Sequence, residues 1–374
     1  MNKILFAWFF AVSVLISTSA HAVTYTAIDL GWGTNAYDIN DSGQVVGYSY
    51  SFDSVNPRAF LYSNGSMQDL GALNGFASVA YGINNAGQVV GHYVFDDHHG
   101  STNTSHAFLY DNGVMQDIGT LSGGPLSSAT DINEIGQVTG WSNAIPHVGS
   151  NYNAFLFDNG VMQDIGSLNG SGGHTSAESI NDSGQIVGAS LGLHGNHAFL
   201  YEQGVMNDLG TLGGGASGAL SINNKGQVVG YSLVIIDSEA VEHAFFYDHG
   251  VMVDLDALNG GASVASDIND SGQVVGYSND LAFLYENGSM QDLNLLLSAS
   301  IGTSLSYASA INSSGQIIAY GSNGHSYLLN RDNISPIPEP KTYLMLLAGL
   351  GLLGFMARGR KETSMQFRLM FNPE

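Results

Sequence analysis

Ile83-Asn84-Asn85-Ala86-Gly87-Gln88-Val89-Val90-Gly91 is the phrase on which the chain is built. With small changes it returns at residues 39–47, 132–140, 180–188, 222–230, 268–276 and 311–319, seven copies in all. Each copy holds a Gly-Gln pair, and the step runs from 42 residues (Gln185 to Gln227) to 49 (Gln88 to Gln137). A second phrase follows, as in His106-Ala107-Phe108-Leu109-Tyr110-Asp111-Asn112-Gly113-Val114-Met115-Gln116-Asp117-Ile118-Gly119.

One unit reads as four short strands. Ser128-Ala129-Thr130-Asp131-Ile132-Asn133 alternates and forms strand A, and Gln137-Val138-Thr139-Gly140-Trp141-Ser142 forms strand B. Ala154-Phe155-Leu156-Phe157 is strand C, and Val161-Met162-Gln163-Asp164-Ile165-Gly166 is strand D. Glu134-Ile135-Gly136 and Asp158-Asn159-Gly160 supply hairpin turns, because Asn or Asp opens the turn and Gly takes positive φ. Four strands per unit of forty-odd residues is the period of a propeller blade.

The strand count closes a ring. Strands A and B occur seven times, whereas the seventh unit runs Ser326-Tyr327-Leu328-Leu329-Asn330 and has no strand D. The missing strand stands at the other end, where Tyr25-Thr26-Ala27-Ile28-Asp29-Leu30-Gly31 reads like residues 114–119. The expectation is an all-β, seven-bladed propeller of four-stranded blades whose last blade is closed by the N-terminal strand, removing an exposed edge. An open β-solenoid is the alternative, but it gives the strand arithmetic no purpose.

Composition narrows the partners. The formal net charge is −23, there is no Cys, and between residues 23 and 340 only Arg58, Lys225 and Arg331 are basic. Such a surface repels nucleic acid and anionic lipid. Disulfides and thiolate metal sites are excluded.

The two ends read as addresses. Lys3, the apolar residues 4–16 and the Ala20-His21-Ala22 cleavage pattern make a signal peptide over residues 1–22, cut after Ala22. The propeller is assigned to residues 23–334. At the other end Pro338-Glu339-Pro340, an apolar run over 342–357 and the basic cluster Arg358, Arg360 and Lys361 occupy residues 335–361, and a tail of residues 362–374 follows. The run is read as a transmembrane helix with its basic end held inside.

These last motifs resemble the PEP-CTERM sorting signal. The resemblance implies a Gram-negative bacterium, transient anchoring in the inner membrane, processing by an exosortase and export to the cell surface or exopolysaccharide matrix. The two internal phrases resemble the HAF family of extracellular repeats over about residues 24–330. The signature His is present as His106, His197 and His243, and is read as replaced by Arg58, Asn153, Leu281 and Ser326. That family implies an exported repeat protein and carries no established activity.

Residues repeated around the ring read as structural. Asp29, Asp69, Asp117, Asp164, Asp208, Asp254 and Asp292 share one place in strand D; an Asn follows every strand A, and a Gln opens every strand B. Their short polar side chains cap turns, while Phe and Tyr of strand C pack between blades.

Function is expected where units differ, in the B–C connections, because variable loops on a rigid scaffold carry binding. The richest is His92-Tyr93-Val94-Phe95-Asp96-Asp97-His98-His99-Gly100, ending at His106, and a second is Asp237-Ser238-Glu239-Ala240-Val241-Glu242-His243. The binding candidates are therefore His92, Asp96, Asp97, His98, His99, His106, Asp237 and Glu239. Their carboxylates could take Ca²⁺, though no metal template matches the spacing. The reading is a non-catalytic binding or scaffold module for extracellular polymer. One alternative is a glycan hydrolase or lyase, with two of Asp96, Asp97, Asp237, Glu239 and Asp280 about 5–10 Å apart. The other is a Ca²⁺- or metal-dependent adhesin.

Overall fold

The computed structural model describes residues 23–332, apart from 54, 74, 96–103, 144–151, 171–173 and 193–194. The signal-peptide residues, Asp96, Asp97, His98, His99, the sorting residues Pro338, Glu339, Pro340, Arg358, Arg360 and Lys361, and the apolar run 342–357 lie outside it. Among the described residues no helix is long and apolar enough to cross a membrane.

Seven antiparallel four-stranded sheets form a propeller, each with strands in the order A-B-C-D. Blade 1 is Thr34–Ile39, Val45–Ser49, Arg58–Ser63 and Ser66–Gly71, and five further blades repeat it. Blade 7 takes Leu305–Ile311, Ile317–Gly321 and His325–Arg331 from the C-terminal end, and Tyr25–Trp32 from the N-terminus as its outer strand. Tyr25 pairs with Arg331, Ile28 with Leu328 and Asp29 with Tyr327. The closure read from the strand count is therefore present.

Core residues lie between blades. Phe60, Phe108, Phe155, Phe199, Phe245 and Phe283 are fully buried. Phe108 packs with Ala80, Ile83 and Val89 of its own blade and with Val46, Ala59 and Leu70 of the blade before, and Tyr110 joins the same cluster. The rings two positions on, Phe157, Tyr201, Tyr247 and Tyr285, pack against the corresponding clusters.

Strand A carries a β-bulge in every blade, where its register on strand B slips, for example between Ala36 and Asp38 and between Ala129 and Asp131. The bulge explains the Gly that ends the first phrase. A Cβ on Gly91 would stand 1.9 Å from the Val79 carbonyl oxygen, and one on Gly140 2.1 Å from that of Ser128. The backbone of the bulged strand fills the space a side chain would need. The seventh blade has Ala319 there and takes a second register slip, between Leu305 and Tyr307.

At the A–B turns the repeated Asn builds a ring. Asn40 Nδ2 donates to the Asn84 carbonyl, Asn84 to Asn133, Asn133 to Asn181, Asn181 to Asn223, Asn223 to Asn269, Asn269 to Asn312, and Asn312 back to Asn40, all at 3.0–3.1 Å. The other Nδ2 hydrogen goes to the Gln of the same blade, as from Asn181 to Gln185 Oε1 at 2.7 Å. The Asn Oδ1 accepts from the Gln backbone N–H, at 3.0 Å in that blade. One side chain thus caps its own turn and ties it to the next blade, with donors and acceptor all used.

Strand D's Asp closes the D–A turn. Its Oδ1 accepts the backbone N–H two residues on, at 2.7–2.8 Å in all seven blades. In six blades the carboxylate also holds the strand C residue two before the aromatic ring that pairs with it. Asp117 holds His106, Asp208 holds His197 and Asp254 holds His243, each at 2.9 Å from Nδ1. Arg58 and Asn153 substitute in two blades. In the seventh the partner of Asp29 is His325, also at 2.9 Å. The signature position there is His325, not Ser326 as the sequence reading placed it. Register decides this, since Tyr327 pairs with Asp29 as Phe108 pairs with Asp117.

Candidate functional site

The central channel is lined by strand A, and the bulge turns two consecutive residues of it inward. Tyr37 and Asp38, Thr130 and Asp131, Glu178 and Ser179, and Ser266 and Asp267 all line one inner cavity of about 140 Å³. Plain alternation would have shown only one residue of each pair to the channel.

Toward the D–A end lies a larger cavity of about 360 Å³, walled by Tyr37, Tyr81, His92, Ser128, Thr130, Trp141 and Glu178. That volume falls in the range of small-molecule sites, about 300–1,000 Å³. Its rings are mutually supported. Tyr37 and Tyr81 stand 5.2 Å apart between centroids, and Tyr81 and His92 5.6 Å. Trp141 packs on Tyr152 at 5.7 Å. Burial pushes the His92 imidazole down to about 4, so it is neutral at physiological pH. Its Nδ1 lies 3.3 Å from Ser128 Oγ of the next blade.

Below this pocket stand three partly buried carboxylates. Asp38 accepts N–H bonds from Ile39 at 2.7 Å and from Ile83 of the next blade at 2.9 Å. Asp131 does the same with Ile132 and Ile180, and Asp267 with Ile268 and Ile311. Ser179 and Ser221 donate further hydroxyl bonds to Asp131 and Asp267. The three act as staples between neighbouring blades. Burial, with Asp131 and Asp267 nearby, pushes Asp38 up to about 8; burial pushes Asp131 up to about 6 and raises Asp267.

A pH dependence follows, in which the opposite contribution of His92 is outweighed by that of the three carboxyls. These carboxyls hold their protons more tightly when folded than when unfolded, so their protonation favours the fold. The stabilisation present near pH 4 is lost as pH rises through about 6 and about 8. Between pH 5 and 7 the Asp38 proton alone gives a slope of about −1.4 kcal/mol per pH unit. Urea midpoints measured across that window should fall with pH, and Asp38→Asn should flatten the slope. A midpoint that rises with pH in wild type and variant alike would contradict this.

The opposite mouth, at the A–B turns, is polar. A cavity of about 240 Å³ there is bounded by the Asn ring and by Asp41, Glu134, Asp182 and Asp270. Among the described residues no group of three or more His, Cys, Asp or Glu is arranged to hold a metal ion.

The residues expected to act together are separated. His92 is not in a loop: strand B of blade 2 runs Val89–Phe95, and its pleat sends His92 to the channel. His106 faces outward to Asp117, which Tyr93 also meets at 3.0 Å. The expected loop at Asp237 and Glu239 is instead a hairpin. Strands Val228–Ile236 and Glu239–Asp248 pair out to Ile236 and Glu239, and Asp237 and Ser238 form the two-residue turn with φ of 52° and 73°. Val- and Ile-rich residues 233–236 prolong the ladder, leaving both acids exposed at its tip. Asp280 likewise sits in a tight turn, at φ 63°. The residues that build the pocket, Tyr37, Tyr81, Trp141 and Glu178, were not singled out from sequence.

Two family models match the chain: a protein of unknown function, DUF3466, over residues 17–198, and the PEP-CTERM protein-sorting motif over residues 336–361. The motif marks an exported protein of Gram-negative type, sorted by an exosortase. No curated protein matches the chain. Among solved structures, the β-propeller domain of the Trilobed protease from Pyrococcus furiosus is 9% identical, with TM-score 0.50, covering 83% of this chain and 100% of that one. It is described as having an open velcro topology, whereas the ring here is closed by its N-terminal strand. An inactive virginiamycin B lyase from Staphylococcus aureus is 10% identical, with TM-score 0.49, covering 82% and 99%. TolB from Acinetobacter baumannii is 11% identical, with TM-score 0.43, covering 77% and 63%, so this chain spans less than two thirds of that protein's length. At these identities the likeness shows the propeller fold alone.

Proposed function

We propose that the protein is an exported, non-catalytic module that binds extracellular glycan at the aromatic end of its channel. One observation carries the reading: Tyr37, Tyr81, His92 and Trp141 wall a cavity whose volume, about 360 Å³, is large enough for a sugar ring. Aromatic faces offer flat apolar surface to the C–H face of a pyranose, and Ser128 and Thr130 offer hydroxyls to its rim. The sorting motif directs the chain outward, where the proposed polymer is exopolysaccharide or cell-surface glycan, and the repeat is read as HAF-type. The non-catalytic reading rests on Asp38, Asp131 and Asp267, whose oxygens are engaged by backbone N–H groups of two blades each.

Glycan-array screening of residues 23–332, followed by calorimetry on the best oligosaccharide, tests this. Tyr81→Ala and Trp141→Ala should each weaken binding about tenfold or more, a loss of about 1.4 kcal/mol per ring. Asp270→Ser at the opposite mouth should leave it unchanged. Full affinity in both aromatic variants would sink the assignment of the site, and shortened glycan products would establish an enzyme instead.

A further inference from the structure

We propose that this pocket selects amino sugars with a free, protonated amine, and that Glu178 is the group that recognises the amine. The proposal rests on the glycan reading above and names its ligand class. Among the residues that wall the pocket, Glu178 is the one acid, and none is Lys or Arg. It occupies the bulge of strand A in blade 4, between Ala177 and Ser179, and reaches both the aromatic pocket and the inner cavity.

Its bonding differs from that of the acids beside it. Asp38, Asp131 and Asp267 each accept from two backbone N–H groups, whereas Glu178 accepts one hydroxyl bond, from Ser176 Oγ to Oε1 at 2.6 Å. That bond orients the carboxylate and leaves Oε2 without a protein donor among the described residues. A carboxylate in a confined aromatic cavity is costly unless a cation meets it. Arg58 and Arg331 are engaged elsewhere, with Asp69 and Glu286. The neutral imidazole of His92 supplies no charge. An ammonium on the ligand would pair with Oε2 while the faces of Tyr37, Tyr81 and Trp141 add cation–π attraction. Deeper in the channel Asp131 adds negative charge above about pH 6, whereas Asp38 keeps its proton up to about 8. Uronates, sulfates and phosphates meet repulsion, and N-acetylation removes the charge that is read.

The test is calorimetric titration of residues 23–332 with a glucosamine tetramer, the N-acetylglucosamine tetramer and spermidine, near pH 6.5. The free-amine tetramer should bind about tenfold or more tighter than the acetylated one. Its affinity should fall between about 0.05 M and 0.5 M salt, while that of the acetylated tetramer holds. Glu178→Gln, which keeps the size of the side chain and an acceptor for Ser176, should bring the two tetramers to parity by weakening the free-amine one. Equal binding of both tetramers by the wild type, or an unchanged ratio in Glu178→Gln, would overturn amine recognition and leave the glycan reading standing. Spermidine binding as tightly as the free-amine tetramer would overturn the amino-sugar class. Absence of binding by either tetramer and by every neutral glycan would overturn the glycan reading and this one with it. Should Glu178→Gln not fold, the salt dependence of the two tetramers on wild-type protein decides alone.

Discussion

Removal of residues 23–32 should lower the melting temperature of the propeller by more than about 10 °C and make the remainder aggregate. That segment is the outer strand of blade 7 and pairs with His325–Arg331. Tyr25 is fully buried, and Leu30 packs into the seam with Ala36, Ile39, Phe60 and Leu328. Burying two such side chains contributes about 4–5 kcal/mol. Further ties are lost with them: Thr24 and Thr26 donate to Asp332 at 2.8 and 2.7 Å, and Ser298 N–H donates to the Tyr25 carbonyl at 2.9 Å. The total approaches the whole stability of an ordinary domain, about 5–15 kcal/mol. The uncovered strand would also offer an unpaired ladder to other molecules. Thermal melts of the truncated protein, with and without a synthetic peptide of residues 23–32, check this. The peptide should restore part of the loss, and a truncated protein that melts with the parent would show that the strand is dispensable.

Asn181→Ala should cost about 2–5 kcal/mol, far more than a turn residue in a hairpin normally does. The substitution removes the bond to Gln185 Oε1 and the bond to the Asn223 carbonyl, and leaves the N–H groups of Ser183 and Gln185 without their acceptor. Asn181 is itself buried, so water cannot replace these partners freely. Because each Asn joins two blades, the same change at Asn84 or Asn269 should cost a similar amount. Asn207→Ala, on the exposed face of strand D, should stay within about 0.5 kcal/mol of wild type. Urea unfolding of these variants checks the comparison. A loss at Asn181 no larger than at Asn207 would reduce the ring to a geometric coincidence.

The blades were legible because each repeat carries its own punctuation. Gly87 and Gly113 mark the two turns of blade 2, and the alternation between them sets strand type. The absence of a strand D after Asn330 was enough to place Tyr25 in the last blade. The structural role given to the repeated Asn and Asp also held, although the bond from each Asn to the next blade could not be read from one unit. The register of the seventh signature was misjudged, because His325-Ser326-Tyr327 replaces both the Ala and the Phe that mark the position elsewhere.

The pocket escaped because it depends on the bulge. Period-two alternation assigns Tyr37 and Asp38 to opposite faces, yet one extra residue in strand A brings both to the channel. The available sign was the Gly of strand B, a residue without a side chain opposite every bulge. Where strand A lines a channel, the inward positions at which units differ (Tyr37, Tyr81, Thr130, Glu178, Leu220, Ser266 and Ser309) were the ones to compare. His92 was assigned to a loop because aromatic and acidic residues follow it, but Val94 and Phe95 continue the strand past it.

Trp141 gives the most direct measurement. Residues 23–332 contain two tryptophans, Trp32 and Trp141, and Trp32 is 73% exposed, outside the pocket. In a Trp32→Phe variant of that segment, fluorescence reports on the pocket wall alone. Titration with the oligosaccharide that binds best by calorimetry should shift the Trp141 emission saturably, with the same dissociation constant as the heat signal. An unmoved spectrum at saturating ligand would place the glycan elsewhere and contradict a site in the channel.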